Sequence, residues 1–261
     1  MVTDFNPYPV SNSRLTAFKK SPKHLIHYLT HRPEPTAAMR FGIAFHMALL
    51  QPELFAELYV TEPIINKRTK AGKEIWDQFV IDNPSKEVIS VDDMDRINDM
   101  IESIMSDPIA CDLITNLTHR ECDVEWTDSE TSVPMRGIID GIGPDYVIDI
   151  KTCSDGTYHK FERDIMNMNY HRQAAIYLDS FIDEQPGSRE YYIIAVESSA
   201  PHGISIHRLM DEMIIEGREQ YRKYLHEYKT WIDLGMPNAG YQYWSALGIN
   251  DVYLPMWAKT K

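Results

Sequence analysis

Three charged residues, Asp140, Asp149 and Lys151, are each flanked by apolar residues. Between Met135 and Thr152, Asp140 is followed nine residues later by Asp149-Ile150-Lys151, with isoleucine, valine and glycine as the main neighbours. Both arms have the β-branched composition of strands, and Gly143-Pro144-Asp145 between them is a turn signal. Asp149 and Lys151 are two apart, so on a strand they share a face. A hairpin symmetric about Pro144-Asp145 sets Asp140 opposite Asp149, with Cβ atoms about 4.5–5.5 Å apart. Two carboxylates and an ammonium on one patch suit a divalent cation with a water beside it. They equally suit an acid–lysine cross-strand pair on a solvated sheet face, and the fragment alone does not choose.

Other residues have types and spacings that matter if the first alternative holds. His46 lies in an apolar helical stretch with Gly42 one turn earlier on the same face. A neutral imidazole there could ligate a metal or be a satisfied core histidine. Glycine inside a helix costs about 1 kcal/mol relative to alanine, so Gly42 suggests that something approaches closely. Gln173 and Tyr177, spaced i, i+4, face one way on a helix. An amide and a phenol so placed could hold a phosphate or orient a water, or be a helix-surface pair of no consequence. Glu121, Asp123 and Glu125 alternate on the strand before the hairpin; Glu121 is the one best placed to complete a metal shell.

The elements that must position these groups follow from periodicity and punctuation. Ser13 to Leu29 reads as a helix with Ser13 as N-cap, broken at Pro22 and followed by another. Ala37 to Leu50 is helical and apolar almost all round, hence expected to be buried. The basic knot Lys67-Arg68-Thr69-Lys70-Ala71-Gly72-Lys73 reads as a loop feeding a helix from Lys73 to Ile81. A short strand over Lys86–Val91, a helix over Asp92–Met105 and another over Pro108–Asn116 come next. Three strands then form a meander: His119–Thr127, Val133–Gly141 and Tyr146–Thr152. A helix over Asn169–Ile182, strands over Glu190–Glu197 and Ile204–Leu209, and a long amphipathic helix over Asp211–Leu234 complete the set. The tail from Pro237 carries Tyr241, Tyr243, Trp244 and Trp257 and is expected to pack back onto the body. The class implied is α+β: a mainly helical part to residue 116, a central mixed sheet with covering helices over 117–235, and the tail over 236–261. With no clear linker, the expectation is a single domain.

Composition narrows the function classes. At 261 residues the chain can bury a sizeable core, and 43% hydrophobic and 25% charged residues are ordinary for a globular protein. No apolar stretch is long enough to cross a bilayer, and the first residues lack the pattern of a secretory signal. Cys111, Cys122 and Cys153 are odd in number and without CxxC spacing, which points to reduced thiols and a cytoplasmic location. The net charge of −13 is unevenly distributed: residues 1–40 carry six basic and two acidic residues, the remainder 20 and 37. Basic patches on an acidic body are compatible with phosphate binding at one surface, or with ordinary solvated helix starts.

The order His46, Glu121, Asp140, Asp149-x-Lys151, Gln173-x-x-x-Tyr177 resembles the PD-(D/E)xK nuclease superfamily, and within it the RecE-type exonucleases of phages and prophages. The likeness extends over nearly the whole chain, through Ser11-x-Ser13-Arg14-Leu15, Gly42-x-x-x-His46, Arg68-Thr69-Lys70-Ala71-Gly72-Lys73 and Tyr170-His171-x-Gln173-Ala174-Ala175-x-Tyr177. Ile138, where many relatives have arginine, and Asp123, in place of serine, depart from it. The resemblance implies a restriction-endonuclease-like core and hydrolysis of DNA phosphodiesters. Mg²⁺ or Mn²⁺, as one or two ions, would be held by Asp140, Asp149, the Ile150 carbonyl and His46, with Glu121 in addition. Lys151 would hold or deprotonate the attacking water, and Gln173 and Tyr177 would position the scissile strand. Ser13, Arg14, Lys70 and Lys73 are candidate phosphate contacts. The resemblance further implies ATP-independent 5′→3′ digestion of one strand at double-stranded DNA ends, leaving 3′ tails. A ring-shaped homo-oligomer (trimer or tetramer), a phage single-strand annealing protein as partner and a bacterial host cytoplasm are also implied. The competing readings are an endonuclease, an end-processing nuclease of the iron–sulfur type, and a catalytically silent DNA-binding module on the same fold.

Overall fold

The computed structural model describes residues 5–31, 34–185, 187–245, 249 and 252–255. Its elements run α1 (Asn12–Lys20), α2 (Pro22–Thr30), α3 (Ala37–Leu50), α4 (Pro52–Leu58), β1 (Tyr59–Thr61), α5 (Lys70–Asp82), β2 (Glu87–Ile89), α6 (Val91–Ser106) and α7 (Pro108–Thr115). They continue with β3 (His119–Thr127), β4 (Pro134–Ile142), β5 (Tyr146–Cys153), α8 (Tyr158–Asn167), α9 (Tyr170–Leu178), β6 (Glu190–Glu197), β7 (Ile204–Arg208) and α10 (Asp211–Asp233). Helix starts are set by side chains that accept otherwise unpaired backbone N–H groups: Ser11, Ser21, Thr36, Thr69, Ser90 and Asp107 cap α1, α2, α3, α5, α6 and α7. The first cap is therefore Ser11 rather than Ser13, because it is the Ser11 hydroxyl that reaches the Arg14 N–H. The short elements α4 and β1, and α8, are additions to the sequence reading. Three-residue strands and single-sided helices of two or three turns have too little periodicity to stand out.

By contacts the chain forms two compact units, each assembled from separate stretches: 1–33, 125–137 and 218–261 in one, 34–124 and 138–217 in the other. In the first unit, Leu15 and Phe18 of α1 and Leu25 of α2 are fully buried. Phe18 sits at the centre of an aromatic cluster, 5.0 Å from the ring of Tyr228, 5.6 Å from Trp231 and 5.5 Å from Trp244. Trp244 donates to the Lys20 carbonyl at 3.2 Å, which ties this part of the tail to α1. Trp257 lies outside the described residues.

The second unit holds most of the sheet, ordered β3-β4-β5-β6-β7. β4 and β5 are antiparallel, with Gly141 opposite Ile148 and Ile142 opposite Val147. That is the register expected from symmetry about Pro144-Asp145, and the next step along it faces Asp140 toward Asp149. β5 and β6 run parallel over eight residue pairs, and β6 and β7 antiparallel. A parallel pair needs a crossover, which α8 and α9 provide. β5 is central and reads as buried throughout its first five residues. On one face Ile148, Ile150, Ile194 and Val196 pack with Ala44 and Phe45 of α3, Ile97, Met100 and Ile104 of α6, and Ile114 and Leu117. Each such buried aliphatic side chain contributes about 1.5–3 kcal/mol relative to exposure. Gly141 belongs to this face: a Cβ there would stand 2.7 Å from side-chain atoms of both Leu117 and Ile148. The mixed α+β architecture matches the sequence expectation. One part does not: α3 buries Ala44, Phe45 and Leu50 but leaves Met39 57% and Ile43 49% exposed.

Candidate active site

By strand alternation, residues 149 and 151 of β5 point away from the Ile148/Ile150 face, toward α9. Asp149 is 1% exposed, and its carboxylate is clasped by Lys151, whose Nζ lies 2.8 Å from Oδ1 and 2.7 Å from Oδ2. Only the Oδ1 contact has hydrogen-bond alignment, so Oδ2 remains a buried oxygen with unused acceptor capacity. Gln173 Nε2 reaches Asp149 Oδ1 at 3.3 Å and the Tyr177 hydroxyl oxygen at 3.0 Å. The i, i+4 pair on α9 thus closes over the acid–lysine pair rather than facing water. Tyr170, at the start of α9, places its ring centroid 4.9 Å from Lys151 Nζ. This contact was invisible in the sequence, where Tyr170 is one aromatic among fifteen tyrosines.

Asp140 is turned toward His46 and the Ile150 backbone. Its Oδ2 accepts the Ile150 N–H at 2.7 Å and lies 3.6 Å from His46 Nδ1. Glu121 Oε1 lies 3.9 Å from the same imidazole nitrogen. One donor atom from each of His46, Glu121 and Asp140 falls within 4.8 Å of the others. Asp149 is not in that group. Glu121 enters it through its backbone, which takes a left-handed conformation (φ +47°) in the middle of β3. That conformation is uncommon for a residue with a side chain, is often stored at functional sites, and breaks the strict alternation expected of Glu121, Asp123 and Glu125.

The electrostatics follow from burial of like charges. Burial, then the Asp140 and Asp149 charges, push Glu121 up to about 7. Burial also raises Asp140, against the pull of Lys151 and the Ile150 N–H. Asp149 rises to about 6, burial outweighing the Lys151 ammonium. Burial works the other way on the bases. His46 falls to about 4 through burial and the Lys151 charge, partly opposed by Asp149 and a backbone hydrogen bond at Ile150, so the imidazole is neutral at pH 7. For Lys151 burial favours the neutral amine, but Asp149 and Asp140 together outweigh it and hold the ammonium above the usual lysine value. A neutral imidazole and crowded carboxylates that resist ionisation without a counter-charge form a donor set that fits a divalent cation. The unused Asp149 Oδ2 points the same way.

The candidate phosphate contacts fall into two groups. Lys70 and Lys73 lie exposed in the first turn of α5; Lys70 Nζ is 3.9 Å from Glu74. Ser13 and Arg14 belong to α1 of the other unit, where Arg14 donates to the Asn6 carbonyl at 3.2 Å.

A mixed sheet with a hairpin whose first strand carries Asp140 and whose second carries Asp149-x-Lys151, with a helical histidine and a glutamine–tyrosine helix converging on them, defines a PD-(D/E)xK-like protein. The family model for a PDDEXK-like domain of unknown function (DUF3799) matches residues 11–235, and the chain belongs to that family. Its structure is similar to the crystal structure of a provisionally named exonuclease from Eubacterium rectale, with a TM-score of 0.59 at 14% identity over 96% of this chain and 91% of that one. At that identity the likeness is one of fold. No curated protein matches the sequence.

Proposed function

We propose that this protein is a divalent-metal-dependent exonuclease of linear double-stranded DNA, of the RecE type, digesting 5′→3′ without ATP and leaving 3′ tails for strand annealing. The observation that carries the proposal is the meeting of His46, Glu121 and Asp140 beside the Asp149–Lys151 pair under Gln173. Membership of a PDDEXK-like family and the fold of a neighbour named as an exonuclease support it.

His46, Glu121 and Asp140 would hold the cation, with Asp149 Oδ2 and the Ile150 carbonyl beside it. Bound there, Mg²⁺ or Mn²⁺ supplies charge neutralisation at the phosphate and a more acidic water. The rest is work for the chain's own groups. Hydrolysis adds water oxygen to phosphorus, the water's proton passing to bulk solvent, and breaks the bond to the departing sugar oxygen, which takes up a proton from solvent; negative charge builds on the phosphoryl oxygens on the way. Lys151, held protonated, acts as a charged hydrogen-bond donor to the water and to those oxygens, not as the base that takes the proton. Asp149 aims the ammonium, and the Tyr170 ring flanks it. Gln173 locks Asp149 and leaves the Tyr177 hydroxyl able to donate to a strand phosphate. Ser13, Arg14, Lys70 and Lys73 would contact phosphates further along the duplex. Assembly into a ring, an annealing protein as partner and action in the bacterial cytoplasm complete the reading. Among the described residues no helix is long and apolar enough to cross a membrane.

The test is incubation of end-labelled linear duplex and closed circular duplex with Mg²⁺ or Mn²⁺, with and without chelator. Digestion of the linear form from its 5′ ends, abolished by chelator, is expected. Cutting of the circle would replace the exonuclease by an endonuclease, and no digestion of either would reject a nuclease.

A further inference from the structure

The face of α3 that carries His46 is apolar and only partly buried. Met39, Gly42, Ile43 and Met47 surround His46 at helical spacing, and with Glu121 they line an open pocket of about 390 Å³. Two of its walls, His46 and Glu121, are also two of the three donors of the cation cluster. Gly42 has no packing reason to be glycine: a Cβ there would meet nothing nearer than Thr152 Oγ1 at 4.0 Å. The close approach that a mid-helix glycine suggests is therefore not made by a protein atom described here. Ile138, two residues before Asp140 on β4, is 49% exposed and adds another apolar group beside the acidic residue.

Resting on the nuclease reading above, we propose that this pocket receives an unstacked nucleobase from the strand whose phosphate lies at the His46–Glu121–Asp140 cluster. A protein segment in the pocket would cover His46 and Glu121 and block the cluster; a base attached to the bound phosphate reaches the pocket without blocking it. The lining chemistry suits a base read by its flat face. Two flexible methionines and an isoleucine adapt to any ring, and apart from the cluster's own His46 and Glu121 the Gln51 amide is the one hydrogen-bonding side chain in the lining. Recognition would therefore be tolerant of base identity, as digestion along any sequence requires.

The test compares, by calorimetry with saturating Mn²⁺, binding of each of the four deoxynucleoside 5′-monophosphates with binding of 2-deoxyribose 5-phosphate, which lacks the base. The nucleotides are expected to bind about tenfold or more tighter than the sugar phosphate, with little spread among bases. Ile43→Asn and Gly42→Val should each bring that ratio toward one while Mn²⁺ affinity, followed by its paramagnetic resonance, stays as in the parent protein. A ratio near one in the parent protein, or one that both variants leave intact, overturns the proposal. If only the base pocket is wrong, linear duplex is still digested and the two ligands bind alike. If the nuclease reading is wrong, duplex is untouched and neither ligand binds with the metal.

Discussion

Replacing Glu121 by glutamine isolates the cost of crowding carboxylates together around His46. In the metal-free protein Glu121 is raised from 4.5 to about 7, by burial first and then by Asp140 and Asp149. At about 1.4 kcal/mol per pH unit, that displacement is worth about 3 kcal/mol if fully expressed. The side chain is 24% exposed, so solvent screening reduces it to about 1–2 kcal/mol. The sign follows from linkage: a group whose folded value lies above its unfolded one contributes stability below pH 4.5 and loses it as pH rises through 7. Glutamine never ionises. In chelator the variant should match the parent near pH 5 and exceed it by about 1–2 kcal/mol at pH 8, a few degrees in melting temperature. Divalent metal should reverse the order at pH 8. The parent gains about 2.7 kcal/mol when metal is at a hundredfold its Kd, and the variant, with one donor neutralised, gains less. Thermal melts at both pH values, with chelator and with Mn²⁺, give the four comparisons. A variant less stable than the parent in chelator at pH 8, or a difference independent of pH, refutes the assignment of Glu121 to a shared, charge-crowded centre.

Three further outcomes follow from the same geometry. Lys151→Met should lower cleavage of linear duplex by about 10²–10³-fold or more while DNA binding persists, measured by single-turnover digestion against a mobility-shift titration; an active variant would remove Lys151 from the chemistry. Mn²⁺ affinity should rise between pH 5.5 and 8, because Asp149 (about 6) and Glu121 (about 7) must lose protons for the cluster to take a cation, whereas His46 (about 4) is already neutral. Flat calorimetric affinity over that range would contradict it. Gly141→Ala should destabilise by about 1–3 kcal/mol in urea unfolding, since its methyl would stand 2.7 Å from Leu117 and Ile148.

Much of the fold was legible because its signals are local. The boundaries of α3 and β3 follow from runs of apolar residues and their punctuation, and the β4–β5 register follows from counting outward from Pro144-Asp145. The same counting set Asp140 opposite Asp149, and strand alternation put Asp149 and Lys151 on one face. Less legible were elements whose stability comes from neighbours rather than from pattern. β1 exists by pairing in parallel with β2, and α8 as half of the crossover from β5 to β6. The expectation that α3 is buried all round failed at Met39 and Ile43. Composition reports how apolar a helix is, not which of its faces the fold leaves open.

The candidate site divides along the same line. The residue types of a cation centre, and the order His46, Asp140, Asp149, Lys151, Gln173, Tyr177, are properties of the chain, and through them it resembles a nuclease. Whether the acids and lysine formed a metal centre or a surface ion pair was undecidable there, since both use the same residues at the same spacing. Tertiary structure decided the arrangement, bringing His46 across from another part of the chain to within 3.6 Å of Asp140 and turning Glu121 into the cluster through a left-handed backbone. It also buried the group under α9. Desolvation is a property of what surrounds a charge in space, and that, not the sequence of charges, raised Glu121 and Asp149, so that their ionised forms call for a counter-charge, and lowered His46 to the neutral form that can donate to a cation.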